Sequence, residues 1–353
     1  MQKPANSGLG DGFTAHMVMT RWSRQDGWLP AGLTSHSPLS LAPSAIALHY
    51  GQAIFEGLKA YPRAGGTASL FRPRRSAARF NRSAARLAMP TMPEDSFIAA
   101  CEKLVRADIA EVPAEPGASL YLRPFMIATE PSITLRAAQE YLFGMIAAPI
   151  VSASSADMKG IDVWCQPGHV RAAVGGTGEA KCAGNYAGSL IGKAEAARHG
   201  CQEVLWLDAA ERRWLEELSA MNFLCAARCA DGTIELATPP LTGTILDGNT
   251  RDSLLRLAAR RGIRTAERPI ELAEITRQDS PVIEALACGT AVTVVPITRI
   301  ATQRGHHQIG DGRPGSLTMQ LRDELIAIQE GRVADEFGWM HDVRSPAWAY
   351  QAR

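Results

Sequence analysis

Between Ile150 and Gly160 the apolar patterning of this chain stops: residues 152–160, SASSADMKG, are small, polar and without period. Such a stretch cannot contribute to a core, and its composition is that of a connecting segment. It leaves about 150 residues before it and about 190 after it, each enough to bury a core of its own. The chain therefore divides into an N-terminal domain over 1–152, a linker over 153–160 and a C-terminal domain over 161–353.

Within the first part, FTAHMVMTRW (13–22) reads as a strand entering a turn at DGW. Residues 44–73 mix a short helix with strands around the Gly65-Gly66 turn, and 74–87 and 94–112 carry apolar residues at helical spacing. SLYLRPFMIAT (119–129) and EYLFGMIAAPIV (140–151) are apolar and aromatic enough to be buried strands. The second part starts with the strand IDVWCQ, passes a glycine-rich segment and continues as a helix, NYAGSLIGKAEAARHG, closed by Gly200. Strands joined by turns at DAAER and ADG follow. Residues 250–262 predict a helix with Thr250 as N-cap and Gly262 just past its end. ITRQDSPVIEALACG predicts a second helix, complicated by Pro281; AVTVVPITRI is a strand and PGSLTMQLRDELIAIQEG a last helix. Both parts are thus α+β. The glycines of GGTGEA lack the strand-turn-helix setting of a dinucleotide site, and the lysine after them is followed by Cys182 rather than the Ser or Thr of a phosphate loop.

Bulk charge excludes some partners. With 37 basic and 36 acidic residues the formal charge is +1, so no global field draws nucleic acid or anionic lipid. No apolar run reaches a membrane span and MQKPANSGLGDG has no signal-like apolar core, so a cytoplasmic protein is expected. The seven cysteines are odd in number and show no CxxC, which fits a reducing compartment, structural thiols at Cys225 and Cys229, and no metal.

Only six lysines occur, so chemistry that needs an amine has few candidates. Lys181, in GGTGEAKCAGNY (175–186), lies among small residues. Burial there would favour the neutral amine, which attacks carbonyl carbon; the plain alternative is a loop charge. Thr250, opening a helix after GTILDGN, offers a hydroxyl and unpaired backbone N–H groups to an anion, though helix ends commonly serve only their own cap. CGTA (288–291) offers a second hydroxyl beside a glycine. Arg123, in YLRP (121–124), stays charged in an apolar strand and needs either an internal carboxylate or a substrate's.

LHYGQAIFEGLKAY (48–61), LFRP with Arg79 following, YLRP, GGTGEAKCAGNYAGS, EELSAMN (216–222), LTGTILDGNTRDSL (241–254) and CGTA occur in that order across most of the chain. This series resembles the branched-chain amino acid aminotransferases, pyridoxal-phosphate enzymes of fold type IV. The resemblance implies a smaller N-terminal α/β domain, a larger C-terminal pseudo-barrel domain and a homodimer. It implies pyridoxal 5'-phosphate as cofactor and transamination between leucine, isoleucine or valine and 2-oxoglutarate. Lys181 matches the lysine that bonds to the cofactor and shuttles the proton, Tyr186 the tyrosine on its phenolic oxygen, and Glu217 the glutamate on its pyridine nitrogen. Arg79, Thr250 and Thr290 match phosphate ligands, with Asn249 beside Thr250 and Leu246 against the ring. Tyr50, Phe55, Lys59, Tyr121 and Arg123 match the substrate pocket, where Arg123 would meet a distal carboxylate; Thr290 and Ala291 would hold the α-carboxylate.

The chain departs from the usual pattern at Ala15, Ser219, Ala220, Asp247 and Asn249, which leaves a specialised aminotransferase for an unusual branched or aromatic amino acid open. D-amino acid aminotransferase and aminodeoxychorismate lyase share the lysine and glutamate but lack the HYGQ…FEG…KAY segment. A binding protein that kept the fold and lost catalysis would not need Lys181, Tyr186 and Glu217 together.

Overall fold

The structure, a computed structural model, describes residues 12–151 and 157–343; residues 152–156 of the expected connecting segment lie outside them. The chain forms two compact units, one of Met1–Ser152, Ala180–Ala183 and Ala327–Arg353, the other of Ala153–Glu179 and Gly184–Ile326. The C-terminal stretch 161–353 is therefore not one uninterrupted body, as the linker alone led us to expect.

Unit one is built on a nine-stranded sheet. Its strands are β1 (His16–Ser23), β2 (Gly27–Trp28), β3 (Gly32–Ser35), β4 (Ala53–Phe55), β5 (Leu58–Arg63), β6 (Thr67–Phe71), β7 (Ala118–Ala128), β8 (Glu140–Val151) and, from the chain's far end, β18 (Met340–Val343). The order is β18-β6-β5-β7-β8-β1-β2, with β3 on β1 and β4 on β7. The two apolar runs read as strands become the long antiparallel pair β7–β8, in register from Ala118↔Val151 to Ala128↔Tyr141. Helices α2 (Pro73–Arg86) and α3 (Glu94–Ala107) bury their apolar faces on the sheet through Phe80, Phe97 and Phe143, whose rings meet at 5.4–6.2 Å. Pro73 stands at the start of α2, where a missing N–H costs nothing. A short helix, α1 (Ile46–Tyr50), precedes β4. The grouping of 327–353 with this unit has a local cause: β18 pairs antiparallel with β6, from Met340↔Phe71 to Val343↔Ala68.

Unit two holds β9 (Ile161–Cys165), β10 (Glu203–Leu207), β11 (Leu215–Leu218), β12 (Asn222–Arg228), β13 (Ile234–Thr238), β14 (Arg264–Glu267), β15 (Val282–Gly289), β16 (Thr293–Thr302) and β17 (Gly305–Gln308). They run in the order β11-β10-β9-β16-β15-β12-β13-β14, and β11 also pairs with β12. That extra pairing closes β9, β10, β11, β12, β15 and β16 into a barrel, which leaves those strands no open edge. The barrel interior is apolar, with Val163, Leu205, Phe223, Ala285 and Ile300 almost wholly buried. The seam is short: its register is the single pair Glu217↔Asn222. The α4 helix (Ala183–Arg198) follows the glycine-rich segment, and α5 (Asn249–Arg260) precedes β14.

Two local expectations are corrected. ITRQDSPVIEALACG is not a helix: α6 (Leu272–Thr276) ends before Pro281, and VIEALACG is β15. Barrel partners on both sides, β12 and β16, override the helical spacing of its apolar residues. Thr250 is not an N-cap; Gly248 holds that position in extended conformation and Thr250 lies inside the first turn. The final helix, α7 (Ser316–Gln329), stands where its spacing placed it. No helix among the described residues is long and apolar enough to cross a membrane.

Candidate active site

The residues singled out from the sequence fall into two groups, one in each unit. In unit one, Lys181 is carried on the four-residue segment Ala180–Ala183. Its backbone is fixed twice: its N–H donates to Ser83 Oγ at 2.9 Å, and its carbonyl accepts from the N–H of Phe55 at 3.0 Å. The next residue, Cys182, bridges to Ile54 of β4. A four-residue insert is thereby pinned to strand β4 and helix α2, so the amine springs from rigid elements. The Lys181 Nζ lies 4.9 Å from the centre of the Phe55 ring, and the Arg123 guanidinium lies 4.9 Å from the same ring. Phe55 is a common wall to the two cations.

Arg123 and Tyr121, two apart on β7, share a face, and Arg123 Nη2 donates to the Tyr121 hydroxyl at 3.0 Å. The internal carboxylate considered for Arg123 is not there: among the described residues it makes no ion pair, and its Nε is buried without an acceptor. Lys59, buried in β5, stands opposite Tyr121 in the sheet register. Gly57 is required beside them, because a Cβ there would run into the Tyr121 phenol. Arg79 of α2 is buried and held in a two-pronged contact by Glu56, with Nε to Oε1 at 2.6 Å and Nη2 to Oε2 at 2.8 Å. Tyr50 is not drawn into this group; it is 42% exposed and its hydroxyl donates to the Ile133 carbonyl.

In unit two, Glu217 is buried at the barrel seam. Its Oε1 accepts from Arg171 Nη2 at 2.8 Å and from the N–H of Leu246 at 3.2 Å, and its Oε2 accepts from Asn222 Nδ2 at 2.8 Å. Asn222 Nδ2 also donates to the Leu246 carbonyl, and Arg171 reaches the Thr244 carbonyl. One carboxylate thus organises the barrel seam and the segment leading into α5. Gly248 packs so closely on Asn222 that a Cβ would strike its side-chain oxygen. Asn249 and Thr250, both buried, open α5 from a cap that makes no side-chain hydrogen bond. Thr290 and Ala291 lie in the turn between β15 and β16; the Gly289 before them leaves room for the Ala220 carbonyl and Met221 of the turn after Glu217. Tyr186 occupies the first turn of α4.

Adjacent Glu216 behaves differently. Among the described residues it has no ion-pair partner, and burial pushes its carboxyl up to about 7, with Thr244 hydrogen-bonding and Arg171 nearby acting in the opposite sense.

The class IV aminotransferase family profile matches residues 53–300. A branched-chain-amino-acid aminotransferase of Mycolicibacterium smegmatis is 45% identical over 339 residues, 95% of this chain and 92% of that protein. This chain belongs to the branched-chain group of the class IV aminotransferases. The fold agrees: the Escherichia coli branched-chain amino acid aminotransferase matches at a TM-score of 0.73 with 26% identity, covering 93% of this chain and all of that one. The Thermobaculum terrenum enzyme, solved in its PLP form, matches at 0.74 with 23% identity over 92% and 98% of the two chains.

For a class IV aminotransferase the residues present fit pyridoxal phosphate by their chemistry. Lys181 is an amine anchored through its backbone, Glu217 is a buried and fully hydrogen-bonded carboxylate, and α5 presents a first turn with no capping side chain, the setting in which phosphates are bound. Sequence reasoning missed Glu56, Ser83, Arg171 and Asn222, which position the matched residues. Only Asn222 and Glu56 lay inside quoted motifs, EELSAMN and FEG, where they could have been noticed.

Proposed function

We propose that this aminotransferase moves the amino group of leucine, isoleucine or valine to 2-oxoglutarate, giving branched 2-oxo acids and L-glutamate, with pyridoxal phosphate held by its own residues. Bound pyridoxal phosphate supplies an electron sink for the bonds at the substrate Cα. In this reading Lys181 carries the cofactor and moves the proton at that carbon. Glu217, kept in place by Arg171 and Asn222, holds the proton on the pyridine nitrogen, and Tyr186 donates to the phenolic oxygen. Arg79, Asn249, Thr250 and Thr290 bind the phosphate, and Leu246 lies against the ring. The turn at Thr290 and Ala291 receives the α-carboxylate, while Phe55, Lys59 and Tyr121 wall the side-chain pocket, without the Tyr50 that the resemblance had included.

The observation that carries the acceptor half of this proposal is Arg123. It is a half-buried guanidinium flanked by Phe55 and Tyr121, hydrogen-bonded to a phenol and to no carboxylate among the described residues. Aromatic walls accept a branched aliphatic side chain, and the guanidinium accepts the distal carboxylate of 2-oxoglutarate. A charge-assisted contact of that kind contributes roughly 1.5–3 kcal/mol. Arg123→Met is expected to slow the half-reaction with 2-oxoglutarate by about ten- to a hundredfold and the half-reaction with leucine far less. Single-turnover absorbance measurements on each half-reaction separate these. Equal losses in both, with a lowered melting temperature, would assign Arg123 to structure. The place of Lys181 is checked independently: borohydride reduction of the loaded enzyme and peptide mapping should put the pyridoxyl group on Lys181, and label on Lys59 or Lys193 would refute it. The reading includes a homodimer, which sedimentation of the purified protein tests.

A further inference from the structure

The hydroxyl of Ser83 joins helix α2 to the lysine segment of unit one. The residue is 1% exposed and stands one helical turn after Arg79. Its O–H donates to the Arg79 carbonyl at 3.1 Å, which leaves the same oxygen to accept the Lys181 N–H at 2.9 Å. On the other side of Lys181, its carbonyl accepts the Phe55 N–H at 3.0 Å. The next residue, Glu56, grips the Arg79 guanidinium at 2.6 and 2.8 Å. Lys181, Ser83, Arg79, Glu56 and Phe55 thus form a closed ring of contacts.

A hydrogen bond on each side of one Cα fixes both soft dihedrals of Lys181 and leaves motion to the flexible stem of its side chain. On the function proposed above, on which this inference rests, that stem has to swing. The Nζ lone pair of the neutral Lys181 amine adds to the cofactor's aldehyde carbon. A C=N bond forms, and the aldehyde oxygen leaves as water with both amine hydrogens. Exchange with the substrate's neutral amine gives Lys181 both hydrogens back, and the amine must later return to the same carbon. A backbone that stays put while the amine swings keeps the two reacting atoms near each other. A serine serving only its helix needs no more than the bond to the carbonyl one turn back. The N–H that Ser83 accepts comes from 98 positions later, on the residue that does the chemistry. We propose that Ser83 is a positioning residue for Lys181, setting the rate at which the amine captures the cofactor through the Lys181 N–H and not by contact with the cofactor.

Ser83→Ala removes one oxygen, keeps a strong helix former in α2 and leaves the Phe55 anchor in place. Pyridoxamine 5'-phosphate separates positioning from general structure, because it carries no aldehyde for Lys181 to capture. On stopped-flow mixing of the cofactor-free full chain with saturating pyridoxal 5'-phosphate, the variant should form the C=N bond about tenfold more slowly, as read from absorbance. Its affinity for pyridoxamine 5'-phosphate, from fluorescence titration, should be unchanged. An unslowed capture, or equal losses with the two forms of the cofactor, would overturn the proposal. Borohydride trapping in the parent protein keeps the outcomes apart. Label on another lysine would overturn the proposed function with it, whereas label on Lys181 and an unslowed variant would overturn the role of Ser83 alone.

Discussion

Two neighbouring glutamates of one strand have opposite electrostatic lives. Glu217 is held by Arg171, Asn222 and a backbone N–H, while burial pushes the Glu216 carboxyl up to about 7 against the opposing pull of Thr244 and Arg171. The sign for Glu216 follows from linkage. Its folded-state pKa lies above the unfolded carboxylate value, so its contribution is complete below about pH 4.5 and is lost as pH rises through about 7. Glu216→Gln should therefore stabilise the protein at pH 8 by about 1–3 kcal/mol and change little at pH 4.5, as read from melting temperatures across that range. Glu217→Gln should act oppositely, keeping the fold but slowing proton removal at the substrate Cα by about 3 kcal/mol, roughly a hundredfold, in stopped-flow measurements with leucine. A damaging Glu216→Gln and a harmless Glu217→Gln would mean that the two roles are reversed. The motif EELSAMN made Glu217 readable in the sequence. It could not reveal Arg171, which lies 46 positions earlier and reaches the carboxylate only through the fold.

At the scale of elements, the FEG segment and α2 are joined by the Glu56–Arg79 pair, both side chains buried, with the Gly57 N–H also on Glu56. Removing one partner of such a pair leaves a charge buried without its counterion, which costs about 3–5 kcal/mol. Glu56→Ala is expected to lower stability by that order and to loosen the helix from which Arg79 projects; urea unfolding measures the first, and a fall in affinity for pyridoxal phosphate the second. Elements with strong periodicity were legible: α2, α3, β7, β8, β9 and α7 lie where apolar spacing placed them. β15 was not, because its apolar run suits either period and only its neighbours in the barrel decide. Very short strands such as β3, β17 and β18 carry too few residues to show a period at all.

For the whole molecule, the returns of the chain were not legible in the sequence. Ala180–Ala183 and Ala327–Arg353 belong with unit one for reasons of pairing, and a linker composition says nothing about pairing. A fragment ending at residue 152 would lack both β18 and the Lys181 segment. It should expose β6 as an unpaired edge and aggregate, as light scattering during refolding would show; a soluble, cooperatively melting fragment would contradict this. The β18–β6 ladder also fixes an order of events in the cell. Ser69 hydrogen-bonds Asp342, 273 positions later, so the first sheet begun by the ribosome is completed only after the strands of unit two have been synthesised. Until then the nascent chain carries β6 as an open edge, and a stall before residue 340 would leave a protein with most of its strands and a raw template for joining another.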